Sequence, residues 1–142
     1  MNYLHSFKPN PILYLDLHPG NLLICREQLK LIDFDQAALA SLSQERSVCY
    51  GTKGFAAPEQ YEGGTLDERT DIYAIGALLY YMGTGHAPEG EIKAGQGSCW
   101  GDLYILMGRC LRTEKKERCQ SVREVLEALE KLEARIFAER HI

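Results

Sequence analysis

The stretch Tyr14-Leu15-Asp16-Leu17-His18-Pro19-Gly20-Asn21 decides the fold of this chain, and the triplet Asp33-Phe34-Asp35 follows it after a short gap. Asn21 lies five positions after Asp16, and Asp33 lies twelve positions after Asn21. Phosphoryl transfer needs such groups, because one carboxylate positions and deprotonates the attacking hydroxyl while an amide oxygen and a second carboxylate hold Mg²⁺ on the phosphates. The spacing therefore predicts a phosphoryl-transfer site close to the beginning of the sequence.

Two short, mostly apolar runs separate these motifs. They cover residues 22–25 and 29–32, and the polar Arg26-Glu27-Gln28 lies between them. This pattern predicts a small β-hairpin that carries the motif residues at its outer ends. Pro9 and Pro11 break any helix before the first motif, so residues 12–15 are predicted to be extended.

Beyond the motifs the pattern is helical. Residues 71–82 are apolar on nearly every face, which predicts a buried central helix that ends in the segment Gly83-Thr84-Gly85. Ser121 and Glu124 form a capping-box signature that predicts the start of the last helix. Apolar residues at helical spacing mark that helix and the one before it: Leu103, Leu106, Cys110 and Leu111, then Val122, Val125, Leu126, Leu129, Leu132 and Ile136. Residues 36–64 and 86–101 lack such periodicity and are predicted to be loops.

The bulk composition is that of one ordinary globular domain. The chain has 142 residues, of which 45% are hydrophobic and 25% charged, and its formal net charge is −4. This charge gives no reason to expect nucleic acid or an anionic membrane as a partner. The longest apolar run, residues 72–82, is about half of what a bilayer crossing needs. Five cysteines without a C-x-x-C pair favour a reducing compartment over a disulfide framework or a zinc site, so the composition predicts a cytoplasmic protein.

Taken in order, five motifs resemble the C-terminal lobe of a eukaryotic-like protein kinase of the bacterial Ser/Thr type. Residues 14–21 match the catalytic loop H-R-D-L-x-x-x-N, and Asp33-Phe34-Asp35 stands where D-F-G would be. Residues 51–59 resemble the substrate-docking loop that ends in A-P-E, residues 71–76 the start of the buried central helix, and residues 117–121 the arginine-bearing turn before the final helix. The resemblance covers nearly the whole chain and implies a mainly helical, kinase-like C-lobe with a short β-hairpin at the catalytic edge.

The resemblance implies a role for each matching residue of the catalytic edge. Asp16 would orient or accept the proton of the substrate hydroxyl, and Asn21 and Asp33 would coordinate Mg²⁺. Thr52 would form a hydrogen bond near Asp16, which is typical of Ser/Thr rather than Tyr specificity. His18 stands where the family has the lysine that approaches the γ-phosphate, so the full positive charge is lost at neutral pH.

The resemblance also implies structural and nucleotide-binding roles. Glu59 and Arg118 would form a buried ion pair that ties the docking loop to the helical base, and Asp71 would hold the backbone of the catalytic loop. The adenine ring of ATP would lie on three apolar residues that follow the catalytic loop, Leu22, Leu23 and Ile24, supported from the central helix by Leu78 and Met82. ATP and Mg²⁺ are therefore the expected cofactors.

Other features depart from the family pattern. The arginine of the H-R-D motif is replaced by Leu15, and the glycine of D-F-G is replaced by Asp35.

Residues 17–21 and 32–35 also look like the small-molecule phosphotransferases related to aminoglycoside and choline kinases. Those enzymes lack the docking loop that residues 51–59 supply, so the protein-kinase interpretation is preferred.

The 142 residues contain no G-x-G-x-x-G loop, no V-A-I-K lysine and no helix carrying its glutamate partner. Because these parts cover the nucleotide and neutralise its phosphates, we expect residues 1–142 to be a partial kinase domain, truncated or split, without autonomous activity and with weak nucleotide binding. The expected partners are a protein substrate or partner chain, including a separately supplied N-lobe. A non-catalytic, pseudokinase-type interaction module is the alternative function.

Overall fold

The structure is a computed structural model that describes residues 1–43, 51–90, 92 and 99–140. Its helices and strands follow in the order α1 (Asn2–His5), β1 (Ile12–Leu13), β2 (Leu22–Cys25), β3 (Gln28–Leu31), β4 (Ala38–Leu39), α2 (Ala40–Ser43), α3 (Pro58–Glu62), α4 (Glu68–Thr84), α5 (Cys99–Cys110) and α6 (Val122–Arg140). The described residues are thus mainly helical with little strand, as predicted. No helix in these ranges is long and apolar enough to span a bilayer.

The predicted hairpin is confirmed. β2 and β3 pair antiparallel, with Leu22 opposite Leu31 and Cys25 opposite Gln28. Arg26 and Glu27 form the two-residue turn, and both have positive φ angles, 49° and 63°. A turn of this kind has the backbone twist that matches two right-twisted strands.

The segment predicted to be one long loop contains short elements. β4 pairs antiparallel with β1, with Ile12 opposite Leu39, and the short helices α2 and α3 also lie within residues 36–64. The loop prediction was therefore wrong for residues 38–43 and 58–62, while residues 44–50 lie outside the described ranges. The error arises because a two-residue strand and one-turn helices are too short to show a period in the sequence.

The central helix α4 begins three residues earlier than predicted, because Asp67 caps it. The Asp67 carboxylate accepts a hydrogen bond from Arg69 N at 2.9 Å, and Thr70 Oγ1 accepts one from Asp67 N at 3.2 Å. Gly85 ends the helix in the left-handed conformation, with φ of 81°. Residues 68–81 of the helix are buried or half-buried, as predicted for a central helix, and Met82 near its end is 73% exposed.

The core of the helical base lies where α4, α5 and α6 meet. Its buried residues are Ile72, Leu106, Cys110, Cys119, Val122 and Val125. Gly76 permits the close approach of α4 to α5, because a Cβ at that position would lie 2.5 Å from the Cβ of Cys110. Cys25, in contrast, is exposed on the hairpin. This base supports the loops that carry the predicted site residues.

The last helix begins as its capping signature predicted. Ser121 Oγ accepts a hydrogen bond from Glu124 N at 3.1 Å. The return bond differs from a standard capping box, because the Glu124 carboxylate accepts from Gln120 N at 2.7 Å. The apolar stripe of this helix is unevenly buried: Val122 and Val125 are buried, Leu129 and Leu132 are half-buried, and Leu126 and Ile136 are 42% and 37% exposed.

Candidate active site

Asp16 lies at the centre of a hydrogen-bonded cluster at the catalytic edge. Thr52 Oγ1 donates to Asp16 Oδ1 at 2.9 Å, although 36 positions separate the two residues. Asn21 Nδ2 donates to Asp16 Oδ2 at 3.2 Å and to the Asp16 carbonyl at 3.0 Å. The structure thus brings together three of the predicted site residues, and each oxygen of the Asp16 carboxylate has its own donor.

His18 faces the same carboxylate. Its Nε2 lies 3.7 Å from Asp16 Oδ2, while its Nδ1 accepts a hydrogen bond from Gly20 N at 3.2 Å. Because a backbone N–H can only donate, Nδ1 is the unprotonated nitrogen, and a neutral imidazole carries its proton on Nε2. His18 therefore presents an N–H donor on the Asp16 side of the loop.

Asp33 follows the hairpin directly, and its segment is held beside the catalytic loop. Ile32 N donates to the Asn21 carbonyl at 3.0 Å. Asp33 has a φ of 59°, a left-handed conformation that Asp adopts more readily than most residues, and its Oδ1 accepts from Asp35 N at 3.2 Å. Asp33 and Asp35 are both exposed to solvent.

The donor atoms of Asn21 and Asp33 fit Mg²⁺ in kind. Both residues offer oxygen, and Mg²⁺ in nucleotide sites takes one or two carboxylates together with substrate phosphates and water. Within the described ranges, no three His, Cys, Asp or Glu side chains come together as a metal-binding group. Two protein ligands of this kind suit an ion whose other ligands are phosphate oxygens and water.

Tyr14 connects the catalytic loop to the end of the hairpin, a role that the sequence reasoning missed. Its side chain is fully buried, its hydroxyl donates to the Ile32 carbonyl, and its ring meets the Phe34 ring edge-on at 5.2 Å. Burial, together with the nearby Asp16 and Asp33 carboxylates, raises the pKa of Tyr14 to about 12. The hydroxyl therefore stays protonated and remains a donor at neutral pH.

Asp71, the first residue of the predicted helix, reaches the catalytic loop from below. Its buried carboxylate accepts hydrogen bonds from Tyr14 N and Leu15 N, each at 2.8 Å. His5 Nε2 lies 2.7 Å from Asp71 Oδ2, a third contact that the sequence reasoning missed. His5 lies on a single helical turn, and no local pattern marks it as the partner of a residue 66 positions away.

Leu15, which replaces the motif arginine, has an unusual backbone. It is 2% exposed and has a φ of 67°. For a residue other than glycine, the left-handed region costs about 1–2 kcal/mol and persists only where the surroundings fix it. Here the N–H of Leu15 is bonded to Asp71, and its carbonyl accepts a hydrogen bond from Gln60 Nε2 at 2.9 Å.

The structure brings Glu59 and Arg118 together as a two-pronged, buried ion pair. Arg118 Nη1 and Nη2 donate to the two Glu59 carboxylate oxygens at 2.7 and 2.8 Å. Thr70 Oγ1 also donates to Glu59 Oε1 at 3.0 Å, and the guanidinium lies 5.1 Å from the centre of the Tyr73 ring. The end of the docking loop is thereby joined to the turn before α6.

The three residues expected beneath an adenine ring lie along β2 and differ in burial. Leu22 is half-buried and packs in one cluster with Tyr14 and Leu78. Leu23 and Ile24 are 51% and 81% exposed. Leu78 packs against the same buried cluster as Leu22, whereas the exposed Met82 belongs to none of the buried clusters among the described residues.

The chain is similar in sequence to known protein kinases. The family model described as "protein kinase domain" matches residues 1–132. Serine/threonine-protein kinase A of Synechocystis is 30% identical over 153 residues, which covers 90% of this chain and 29% of that protein. The DNA damage-responsive serine/threonine-protein kinase RqkA of Deinococcus radiodurans is 38% identical over 89 residues, 60% of this chain and 13% of that protein. The chain thus spans less than a third of the length of these relatives.

Proposed function

This chain belongs to the protein kinase family, and we propose that residues 1–142 form the catalytic-loop lobe of a Ser/Thr protein kinase, which transfers phosphate from ATP to a protein hydroxyl. The observation that carries the proposal is the contact of Thr52 Oγ1 with Asp16 Oδ1 at 2.9 Å. Thr52 belongs to the loop that is proposed to dock a peptide substrate, and Asp16 is proposed to act on the hydroxyl of that peptide. The contact therefore joins the docking loop to the proposed catalytic carboxylate.

Asp16 is proposed to orient the substrate hydroxyl and take its proton. Its two carboxylate oxygens are hydrogen-bonded to Thr52 and Asn21, so the side chain does not have to reorganise when a substrate arrives. Phosphoryl transfer depends mainly on such positioning and on charge stabilisation. His18 adds a donor on the same side of the loop through Nε2.

Asn21 and Asp33 are proposed to hold Mg²⁺. The ion would neutralise charge on the ATP phosphates. The chain's own contribution is to keep the two oxygen-bearing residues in neighbouring segments, through the bond from Ile32 N to the Asn21 carbonyl at 3.0 Å. Tyr14 adds a second tie between the same segments, since its hydroxyl donates to the Ile32 carbonyl.

A protein substrate is favoured over a small molecule by the docking loop. Its beginning contacts Asp16 through Thr52, and its end is fixed to the helical base by the pair of Glu59 and Arg118. A loop fixed at both ends offers a rigid surface on which an extended peptide could lie. The small-molecule phosphotransferases that share the catalytic-loop pattern lack this loop.

The 142 residues by themselves are proposed to be inactive and to need an N-lobe, supplied by another segment or chain. The exposure of Leu23 and Ile24 supports this, since 51% and 81% exposed apolar residues leave one side of the proposed adenine site open to water. A kinase also needs a cation and a loop over the phosphates, which the catalytic edge described here does not provide.

The test is transfer of radiolabelled phosphate from Mg·ATP to a generic Ser/Thr substrate. The chain alone should give no transfer above an Asp16→Asn variant, and a chain complemented with a kinase N-lobe should give transfer that Asp16→Asn abolishes. A matched control is Asp102→Asn, an acidic residue on α5 that pairs with Arg135 rather than with the catalytic loop. Asp16-dependent transfer by the lone chain would contradict the need for an N-lobe. Complementation without transfer would favour the non-catalytic interaction module.

A further inference from the structure

Gln60, on α3 next to Glu59, lies at the junction of the docking and catalytic loops. Its side chain is 1% exposed, and both ends of its amide are hydrogen-bonded. Oε1 accepts from Ala57 N at 3.0 Å, and Nε2 donates to the Leu15 carbonyl at 2.9 Å. Gly51 leaves room for this amide, since a Cβ at that position would lie 3.0 Å from Gln60 Nε2.

The bond to Leu15 acts on the residue whose backbone is strained. Asp71 fixes the N–H of Leu15 at 2.8 Å, and Gln60 fixes its carbonyl at 2.9 Å. That carbonyl belongs to the peptide plane that joins Leu15 to Asp16. Because the orientation of this plane determines where the Asp16 side chain starts, Gln60 acts on the direction of the Asp16 carboxylate.

We propose that Gln60 is a positioning residue: it couples the docking loop to the Leu15–Asp16 peptide and so fixes the carboxylate of Asp16. Its importance for catalysis rests on the function proposed above, but its effect on Asp16 does not. The docking loop thereby reaches Asp16 by two routes, directly through the Thr52 hydroxyl and from beneath through Gln60.

If the Gln60 side chain only filled space, a variant of similar volume would leave the Asp16 carboxylate unaffected. Methionine has similar length and can fill the same volume, but it leaves the Leu15 carbonyl and the Ala57 N–H without partners. Glutamate keeps an acceptor for Ala57 N, but its ionised form places a carboxylate oxygen against the Leu15 carbonyl. Only a protonated carboxyl group restores both bonds, so the two variants separate hydrogen bonding from packing.

The test uses the ¹³Cγ resonance of Asp16 in the isotope-labelled chain, which needs no catalytic activity. Thr52→Val in the otherwise unchanged chain should shift this resonance, because it removes the hydrogen bond from Thr52 to the Asp16 carboxylate. If Gln60 positions Asp16, most of that Thr52-dependent shift should be lost in a Gln60→Met background. The matched control is Tyr61→Phe on the same helix, which removes a bond to the Gly51 carbonyl at 2.9 Å but leaves the Leu15 bond intact.

The variant Gln60→Glu provides an internal rescue. A glutamate carboxyl ordinarily has a pKa of about 4.3, and burial raises it. The Asp16 resonance should therefore depart from wild type at pH 7 and return towards it as the pH falls to about 5. The proposal is overturned if the Thr52-dependent shift is the same in wild type, Gln60→Met and Tyr61→Phe, or if Gln60→Glu matches wild type at every pH. Either result would leave the proposed kinase function to be judged separately, by phosphate transfer.

Discussion

At the scale of single residues, the buried guanidinium of Arg118 has a complete set of hydrogen-bond partners. Arg118 is 1% exposed, and its five N–H donors reach two Glu59 oxygens and the carbonyls of Arg69, Arg112 and Thr113. Burial of a charge is costly unless it is paired and hydrogen-bonded in this way. The planar guanidinium fork suits this geometry better than the point charge of a lysine would.

Removal of the Arg118 side chain should destabilise the fold strongly. Arg118→Ala leaves the Glu59 carboxylate buried without its counter-charge, and loss of one partner of a buried pair typically costs about 3–5 kcal/mol. Urea denaturation of the two proteins measures this difference. Arg118→Lys should recover only part of it, since an ammonium has three donors instead of five.

Arg123 supplies the matched control. Its side chain is 80% exposed and pairs with Glu127 one turn away on α6. Exposed pairs at this spacing contribute about 0.3–0.5 kcal/mol, so Arg123→Ala should have a small effect. Equal losses of stability from Arg118→Ala and Arg123→Ala would contradict the role given to the buried pair.

At the scale of elements, the start of α4 is joined to the turn before α6 through Asp67. The Asp67 carboxylate caps α4 and also accepts hydrogen bonds from the Arg69 side chain at 2.8 Å and from Lys115 Nζ at 3.1 Å. Burial alone would raise the pKa of Asp67, but the bonds from Arg69 and Lys115 outweigh it and lower the pKa to about 2. The charged form of Asp67 therefore stabilises the native state.

The lowered pKa of Asp67 predicts a loss of stability in acid. Folding lowers the pKa of Asp67 from the ordinary aspartate value of 3.8 to about 2, so the stabilisation is present above about pH 4 and is lost as the pH falls from about 4 to about 2. The loss should be on the order of 2 kcal/mol.

Asp67→Asn isolates this contribution, because an amide oxygen can still cap α4 but does not titrate in this range. The difference in unfolding free energy between wild type and Asp67→Asn, measured by urea denaturation at several pH values, should shrink as the pH falls from about 4 to about 2. A difference that is independent of pH would mean that Asp67 is not the group responsible.

At the scale of the whole molecule, the helical base and the candidate site are packed by different apolar clusters. One cluster lies between α4, α5 and α6, while Tyr14, Leu15 and Leu17, on either side of Asp16, belong to two other clusters. The β2–β3 hairpin extends beside the catalytic loop with Leu23, Ile24 and Leu29 exposed. The chain therefore lines one side of the proposed nucleotide site, and the other side is open to solvent.

This arrangement predicts weak nucleotide binding by the 142 residues alone. Mg·ATP should bind with a dissociation constant of about 1 mM or weaker, equivalent to roughly −4 kcal/mol, because the adenine gains apolar contact on one side only. Isothermal calorimetry or NMR titration measures the constant, and a supplied N-lobe should tighten it. Micromolar affinity that disappears in Asp33→Ala but survives in Asp102→Ala would show that the half-site is sufficient.

Much of the fold could be predicted from local patterns. The hairpin was predicted because a short polar turn separates two apolar runs, and the last helix because Ser121 and Glu124 mark its start. The loop elements β4, α2 and α3 could not be predicted, since a strand of two residues gains its stability from pairing with β1 and not from its own composition. The burial of the central helix was predicted for residues 71–82 and holds for residues 71–81, whereas Met82 at its end is 73% exposed, because no described element covers it.

The sequence by itself determined the family motifs, the order of the elements and the residue types of the candidate site. The tertiary structure decided which groups meet: His5 with Asp71 across 66 positions, Gln60 with Leu15 across 45, and the left-handed backbone of Leu15 between them. Local patterns report period and propensity, which depend on near neighbours in the chain. The partner of a buried polar group depends instead on which segments the folded core brings within hydrogen-bond distance.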